Sequence, residues 1–180
     1  MLTPSYDHIN LLRKLSFLRV VNAVKITCSF YFSKWSKKPK VRGLPISLTI
    51  EPTTACNLGC PECPSGLKQF SRPEGNLKQD FYKSIIDQVY KKTYYLNFYF
   101  QGEPYINPDF LQMVSYANHK KMYTATSTNA HFLNDKNAKE TIAHRFGLRN
   151  RLVDSIQFDA VLFFGDIDPA SLAAQVATIG

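Results

Sequence analysis

The chain has 180 residues, enough for one domain with a substantial core and too few for two large ones. Hydrophobic residues make up 44% and charged residues 20%, which excludes a fibrous or wholly disordered protein. The sequence has no long apolar run and no secretory signal pattern, so we expect a cytoplasmic protein without a transmembrane helix, either free or peripheral to the membrane.

The formal net charge of +8 belongs entirely to residues 1–42, which contain nine Lys and Arg residues and one acidic residue, Asp7. The remaining residues carry 13 basic and 13 acidic side chains. A uniformly basic chain would indicate nucleic acid as a partner. This distribution instead predicts a basic arm on a neutral domain, and we expect no nucleic-acid partner.

Residues 5–34 are predicted to form one amphipathic helix, followed by a linker that ends near Gly43. Two interpretations of the helix remain open: weak contact with an anionic membrane surface, or packing on the domain, which is favoured because most such helices bury their stripe. The apolar stripe recurs at steps of three and four: Leu11, Leu12, Leu15, Leu18, Val21, Val24 and Cys28.

Beyond the linker, strand and helix patterns alternate four times. This order predicts an α/β fold with a parallel sheet flanked by helices. The predicted strands are 44–53, 94–100, 122–128 and 154–164, and the predicted helices are 76–92, 107–121, 134–144 and 168–179.

Three of the four cysteines, Cys56, Cys60 and Cys63, lie in one loop after the first predicted strand. In a reducing compartment, clustered cysteines more often bind metal than form disulfides. Three thiolates on a cubic iron–sulfur cluster would leave one iron open, whereas structural zinc usually needs four protein ligands. Cys28 could be a fourth ligand only if the helix folded back, and we expect it to be a buried apolar residue instead.

The stretch EPTTACNLGCPEC resembles the CxxxCxxC signature of the radical S-adenosylmethionine (radical SAM) enzymes, in the form found in the branch with SPASM domains. The resemblance covers residues 44–143 and implies a partial (βα) barrel, of which this chain would supply about four of six units. It also implies a [4Fe–4S] cluster on Cys56, Cys60 and Cys63.

The same resemblance implies that S-adenosylmethionine (SAM) binds the open iron. A reductase or ferredoxin-type donor would then supply the electron that cleaves SAM to a 5′-deoxyadenosyl radical. That radical abstracts hydrogen from a substrate, which in this branch is often a peptide or protein. The sequence does not name the substrate.

Further positions match motifs of the family. The backbone of Glu62, before the third cysteine, would contact adenine. In FQGEP, Gly102 would allow close backbone approach and Glu103 would accept a hydrogen bond from the amino group of SAM. In TSTNA, Ser127, Thr128 and Asn129 would bind its carboxylate or ribose, with Ala130 where the family has glycine.

We therefore divide the chain into a basic helix and linker (1–43), a radical SAM core (44–143) and an atypical tail (144–180). The leading hypothesis is a radical SAM enzyme or a truncated member of the family. One alternative is an inactive, truncated or frame-shifted fragment that keeps the cluster loop. A third is a small zinc module with Cys28 as the fourth ligand.

Overall fold

The structure, a computed structural model, describes residues 11–138 and the backbone of residues 162–163. Four parallel strands form one sheet in the order β1-β2-β3-β4, as the alternating sequence pattern predicts. The strands are β1 Ser47–Thr49, β2 Tyr95–Phe98, β3 Tyr123–Thr128 and β4 Leu162–Phe163.

Parallel neighbours need crossover connections, and helices supply two of them. Helix α1, Phe17–Ser36, precedes the sheet, while α2, Gln79–Val89, and α3, Phe110–His119, connect β1 to β2 and β2 to β3. A 3₁₀ helix, Pro104–Ile106, lies before α3. The predicted α/β fold is confirmed.

The core lies between the sheet and helices α2 and α3. Leu96 and Phe98 of β2 are fully buried against Tyr82 and Phe110, and the rings of Phe98 and Phe110 meet edge to face at 5.7 Å. The Tyr82 hydroxyl donates to the Met113 carbonyl at 2.8 Å, which satisfies a polar atom inside the core. Phe81 of α2 is exposed, whereas its neighbour Tyr82 is buried in the core.

The opposite face of the sheet is more polar. Because side chains alternate along a strand, the register places Thr49, Asn97 and Ala125 side by side on this face, with Ser127 further along β3. Two aromatic rings, Tyr95 and Tyr123, stack here with centroids 4.8 Å apart. In a (βα) barrel this face would line the interior.

The prediction of one continuous helix over residues 5–34 is wrong, because the helix is interrupted before Ser16. Residues 11–13 are helical, the helix stops before Ser16, and α1 starts afresh with Ser16 as its cap, accepting from the Arg19 amide at 3.4 Å. Residues 5–10 lie outside the described part.

The expected burial of the apolar stripe is also wrong. Leu15 and Val24 are 44% and 56% exposed, and Cys28, expected to be buried, is exposed. The buried positions of α1 are polar: Arg19 and Asn22. The apolar pattern of the sequence therefore predicted the wrong face of α1 to be buried.

The reason lies in unpaired carbonyl groups at helix ends. The Arg19 guanidinium donates to the carbonyls of Tyr90, after α2, and of Lys120 and Lys121, after α3. Asn22 donates to the carbonyl of Leu44 at 2.7 Å. The last turn of a helix leaves carbonyls without partners, and Arg19 satisfies them, although burial lowers its pKa.

Within residues 11–138, no helix is both long and apolar enough to cross a membrane. Of the predicted helix 134–144, residues 135–138 are helical, and the Asn134 side chain accepts from the Asn137 amide at 3.0 Å, as a cap should. The rest of that helix and the helix predicted at 168–179 lie outside the described residues.

Candidate functional site

The cysteine loop follows β1 at the carboxyl edge of the sheet. Cys56 and Cys63 are half-buried, Cys60 is exposed, and all three are free thiols. The loop turns tightly, with the Cys63 amide donating to the Cys60 carbonyl at 3.2 Å. A Cβ on Gly66 would lie 2.5 Å from the Cys60 nitrogen, so the chain can return past Cys60 only at a glycine.

The surroundings of Cys56 shift the pKa of its thiol. Burial raises the pKa of the Cys56 thiol, the Leu58 amide lowers it, and the negative charges of Glu103, Cys63 and Cys60 raise it further. A cation bound among these groups would oppose this rise in the pKa of Cys56.

The Gly102–Glu103 motif follows β2 and holds both ends of the cysteine loop. The Glu103 amide donates to the Ala55 carbonyl at 2.9 Å, just before Cys56. The Gly102 amide donates to the Ser65 hydroxyl at 3.1 Å, just after Cys63. Gly102 has φ +75°, and a Cβ there would collide with the carbonyl oxygens of Thr53 and Ala55. Only glycine fits at this position, where the chain passes close to the backbone of Thr53 and Ala55.

The Glu103 side chain is almost completely buried, 2% exposed, and its carboxylate is held at three points. It accepts from the Thr128 hydroxyl at 2.6 Å, the Asn129 amide at 2.8 Å and the Tyr105 amide at 3.3 Å. These bonds connect the end of β2 to the end of β3. Glu103 thus organises the edge of the sheet, in addition to any contact with a ligand.

The third predicted motif joins the same network. The Asn129 side chain donates to the Asn57 side chain at 2.8 Å, which places it against the residue after Cys56. Ala130, where the family has glycine, has φ +65°. The left-handed turn is kept although an alanine occupies it, at some cost in strain.

Ser127 lies beside this network with its hydroxyl buried and, within the described part, without a hydrogen-bond partner. The same holds for Oδ1 of Asn97 on β2, on the same face of the sheet. Buried polar atoms without partners are uncommon in folded proteins. Both atoms are suited to a polar ligand above the sheet.

The two remaining predicted residues, Glu62 and Cys28, lie in different parts of the molecule. Glu62 is exposed in the cysteine loop, where only its backbone was assigned a role. Cys28 lies on α1, which contacts the ends of α2 and α3 at the amino edge of the sheet, opposite the cysteine loop. The structure does not bring Cys28 to the other cysteines.

Three polar residues of the site were not predicted: Gln101, Ser65 and Asn57. Oε1 of Gln101 accepts from the Ser65 hydroxyl at 2.9 Å and from the Cys63 thiol at 3.6 Å. Gln101 stands where the family often has another glycine, and that departure was the signal available in the sequence.

No family model matches the chain. The chain is 41% identical over 91 residues to the mycofactocin maturase MftC of Mycobacterium tuberculosis, a match that spans 49% of this chain and 22% of the relative. It is 30% identical over 136 residues to the tungsten-containing aldehyde ferredoxin oxidoreductase cofactor-modifying protein of Pyrococcus furiosus, spanning 74% of this chain and 33% of that one. The chain thus spans about a fifth to a third of these curated relatives.

Among solved structures, the fold is similar to that of BtrN crystallised in complex with AdoMet and 2-DOIA. The TM-score is 0.50 at 20% identity, over 58% of this chain and 44% of BtrN. This likeness concerns the fold alone, and it agrees with an incomplete parallel barrel.

The parallel sheet, with a three-cysteine loop at its carboxyl edge, is the arrangement expected of a protein that holds an iron–sulfur cluster. The similarities to these relatives and structures support a member of the radical SAM superfamily. Proteins of that superfamily are enzymes, and the similarity implies a [4Fe–4S] cluster and SAM as cofactors.

The residues present fit these cofactors. Three free thiols share one loop, and the unpartnered atoms of Ser127 and Asn97 lie on the ligand face of the sheet. In the described part of the chain, no three Cys, His, Asp or Glu side chains converge on one ion position. A cubic cluster does not require such convergence, since each thiolate binds a different iron, whereas tetrahedral zinc does.

Proposed function

We propose that this chain provides the cluster-binding and SAM-binding part of a radical SAM enzyme that modifies a peptide or a cofactor. The observation that supports it most is the attachment of Glu103 and Gly102 to both ends of the cysteine loop. The two relatives, a maturase and a cofactor-modifying protein, suggest the proposed substrate classes.

In the proposed enzyme, Cys56, Cys60 and Cys63 hold the cluster. A bound cluster would supply the electron for reductive cleavage of SAM, and SAM would supply the 5′-deoxyadenosyl group for hydrogen abstraction from a substrate. The electron would come from a reductase or a ferredoxin-type protein, and we propose that the enzyme works in a reducing compartment, the cytoplasm.

The protein residues position the cofactors in this proposal. Buried Glu103, with lone pairs beyond its three protein bonds, accepts from the amino group of SAM. The Ser127 hydroxyl and the Asn129 side chain bind the carboxylate or the ribose, and the backbone near Glu62 contacts adenine. The polar face carrying Asn97 receives the substrate.

The test is anaerobic reconstitution of the full chain with iron and sulfide, followed by reduction with dithionite and measurement of 5′-deoxyadenosine. We expect cluster absorbance and SAM-dependent release of the nucleoside. The Cys56→Ala, Cys60→Ala and Cys63→Ala variants should lose both, and Cys28→Ala should lose neither. Loss of iron in Cys28→Ala would refute the ligand set.

The two readouts separate the proposed enzyme from the alternative. A cluster that assembles without nucleoside release would contradict the catalytic proposal and favour a chain that keeps the cluster loop but does not catalyse. Bound zinc without sulfide would favour the zinc module.

A further inference from the structure

The outer face of α1 is an exposed apolar stripe of five residues. Their positions, separated by three, four, seven and four residues, fall on one side of the helix. The exposed fractions reach 81% for Phe17, 62% for Tyr31 and 82% for Trp35. We name the set the outer stripe: Phe17, Val20, Val24, Tyr31 and Trp35.

The outer stripe points away from the domain because the opposite side of α1 is anchored to it. Arg19 and Asn22, the buried residues of the helix, bind carbonyls at Tyr90, Lys120 and Leu44. These anchors lie at the amino edge of the sheet. The cysteine loop lies at the carboxyl edge, so the outer stripe faces away from the candidate site.

A basic pocket adjoins the stripe. It has a volume of about 270 Å³ and is lined by Lys25, Cys28, Ser29, Phe32, Lys40 and Arg42. Within the described residues, the ion pairs are Arg72–Glu51 and Lys120–Asp87, so none of these three cations is neutralised there. Three unpaired cations around a concave surface favour an anion.

The surroundings are basic throughout. From residue 8 to residue 50 the chain contains nine Lys and Arg residues and no Asp or Glu. Exposed Trp and Tyr beside Lys and Arg are typical of helices that lie in the interface of an anionic membrane. An acid-free surface with an apolar centre is complementary to lipid headgroups above acyl chains.

We propose that α1 and the linker after it dock on an anionic phospholipid surface, with the outer stripe in the interface and a lipid phosphate in the basic pocket. Docking by this face leaves the cysteine loop directed away from the bilayer and accessible to its partners. This proposal is independent of the catalytic one, because it uses none of the residues of the candidate site.

The test is co-sedimentation of the full chain with vesicles of phosphatidylcholine containing a quarter phosphatidylglycerol, against pure phosphatidylcholine. We expect binding to the anionic vesicles in 0.1 M NaCl and release in 1 M NaCl, because the Debye length falls from about 10 Å to about 3 Å. Absence of binding at 0.1 M NaCl would overturn the proposal.

Two matched pairs of variants locate the surface. The triple variant Lys25→Ala/Lys40→Ala/Arg42→Ala should bind roughly 100-fold more weakly, at about fivefold per cation, while Lys78→Ala/Lys91→Ala/Lys136→Ala, with the same loss of charge, should bind almost as well as the wild type. Trp35→Gln should weaken binding, and Phe81→Gln, at another exposed aromatic position on α2, should not. If the two variants of either pair lost vesicle binding equally, the assignment of the membrane-binding surface to α1 and the linker would be overturned.

Two further outcomes would show that the basic pocket or the outer stripe binds something other than a membrane. If inorganic phosphate binds the pocket in a titration while vesicles do not bind, the site takes a free anion and membrane docking is wrong. If sedimentation equilibrium shows a dimer that Trp35→Gln dissociates, the outer stripe is an interface between two copies and membrane docking is again wrong. All substitutions are at exposed positions, so thermal unfolding of each variant should match the wild type.

Discussion

The carboxylate of Glu103 accepts a hydrogen bond from the hydroxyl of Thr128 at 2.6 Å. The bond joins the residues that follow β2 to the last residue of β3, and both groups are buried. Through its own amide, Glu103 also holds the residue before the cysteine loop. One residue, through its side chain and its backbone amide, therefore couples the three segments that carry the candidate site.

This arrangement predicts a double effect of substituting Glu103. In Glu103→Gln, one oxygen is replaced by an NH₂ group that cannot accept from Thr128 or Asn129. The free energy of unfolding should fall by about 1–3 kcal/mol, and the affinity of the reconstituted protein for SAM should fall about ten- to a hundredfold. Urea unfolding and an anaerobic binding titration measure the two effects.

The control is Glu74→Gln, which removes an exposed carboxylate near the same region. It should change neither quantity beyond about 0.5 kcal/mol. Unchanged SAM affinity in Glu103→Gln would eliminate the proposed contact with the amino group, even if stability falls.

A second prediction concerns Arg19. Arg19→Ala leaves helix-end carbonyls at Tyr90, Lys120 and Lys121 without their donor, and we expect a loss of about 2–3 kcal/mol in unfolding free energy. Arg19→Lys keeps the charge but not the branched donor geometry, so it should recover only part of the loss. Arg13→Ala, at an exposed position, should be nearly neutral in urea unfolding; an equal loss there would show that α1 is not anchored by Arg19.

A third prediction concerns Ala130 and its φ of +65°. A left-handed conformation costs an L-residue roughly 1–2 kcal/mol, while glycine costs up to about 1 kcal/mol in unfolded-chain entropy. Ala130→Gly should therefore raise stability by up to about 1 kcal/mol. Ala23→Gly, inside α1, should lower it by about the same amount. Destabilisation by both changes in thermal unfolding would mean that the turn is not left-handed.

A fourth prediction concerns Gln101 in the metal-free protein. Gln101→Leu removes the acceptor of the Cys63 thiol and of the Ser65 hydroxyl. Losing one hydrogen bond of about 1 kcal/mol should make Cys63 react about fivefold faster with a thiol reagent. Reaction of Cys28 should not change, and neither should Cys63 in Gln88→Leu. Equal rates for Cys63 in the wild type and Gln101→Leu would exclude the positioning role.

The sequence predicted the sheet and the meeting of its motifs for one physical reason. Carboxyl ends of parallel strands lie at one edge, so Cys56, Gly102 and Asn129, each placed after a predicted strand, had to be neighbours. Alternating strands and helices allow few other arrangements.

The sequence did not predict which face of α1 is buried. Hydrophobic periodicity assigns Arg19 and Asn22 to solvent, but unpaired carbonyls at the ends of α2 and α3 made a polar anchor more favourable there. Ser65 was missed for a similar reason, because its partners, Gln101 and Gly102, come from a distant part of the chain and leave no local pattern.

The central claim is that Cys56, Cys60 and Cys63 hold a cluster with one iron open to SAM. The most direct measurement is electron paramagnetic resonance of the reconstituted, reduced full chain, with and without SAM, together with iron and sulfide analysis. We predict about four irons and four sulfides per chain and a spectrum whose g-values shift when SAM is added, in the wild type and in Cys28→Ala alike. A spectrum that SAM does not change, or a cluster that requires Cys28, would contradict the account.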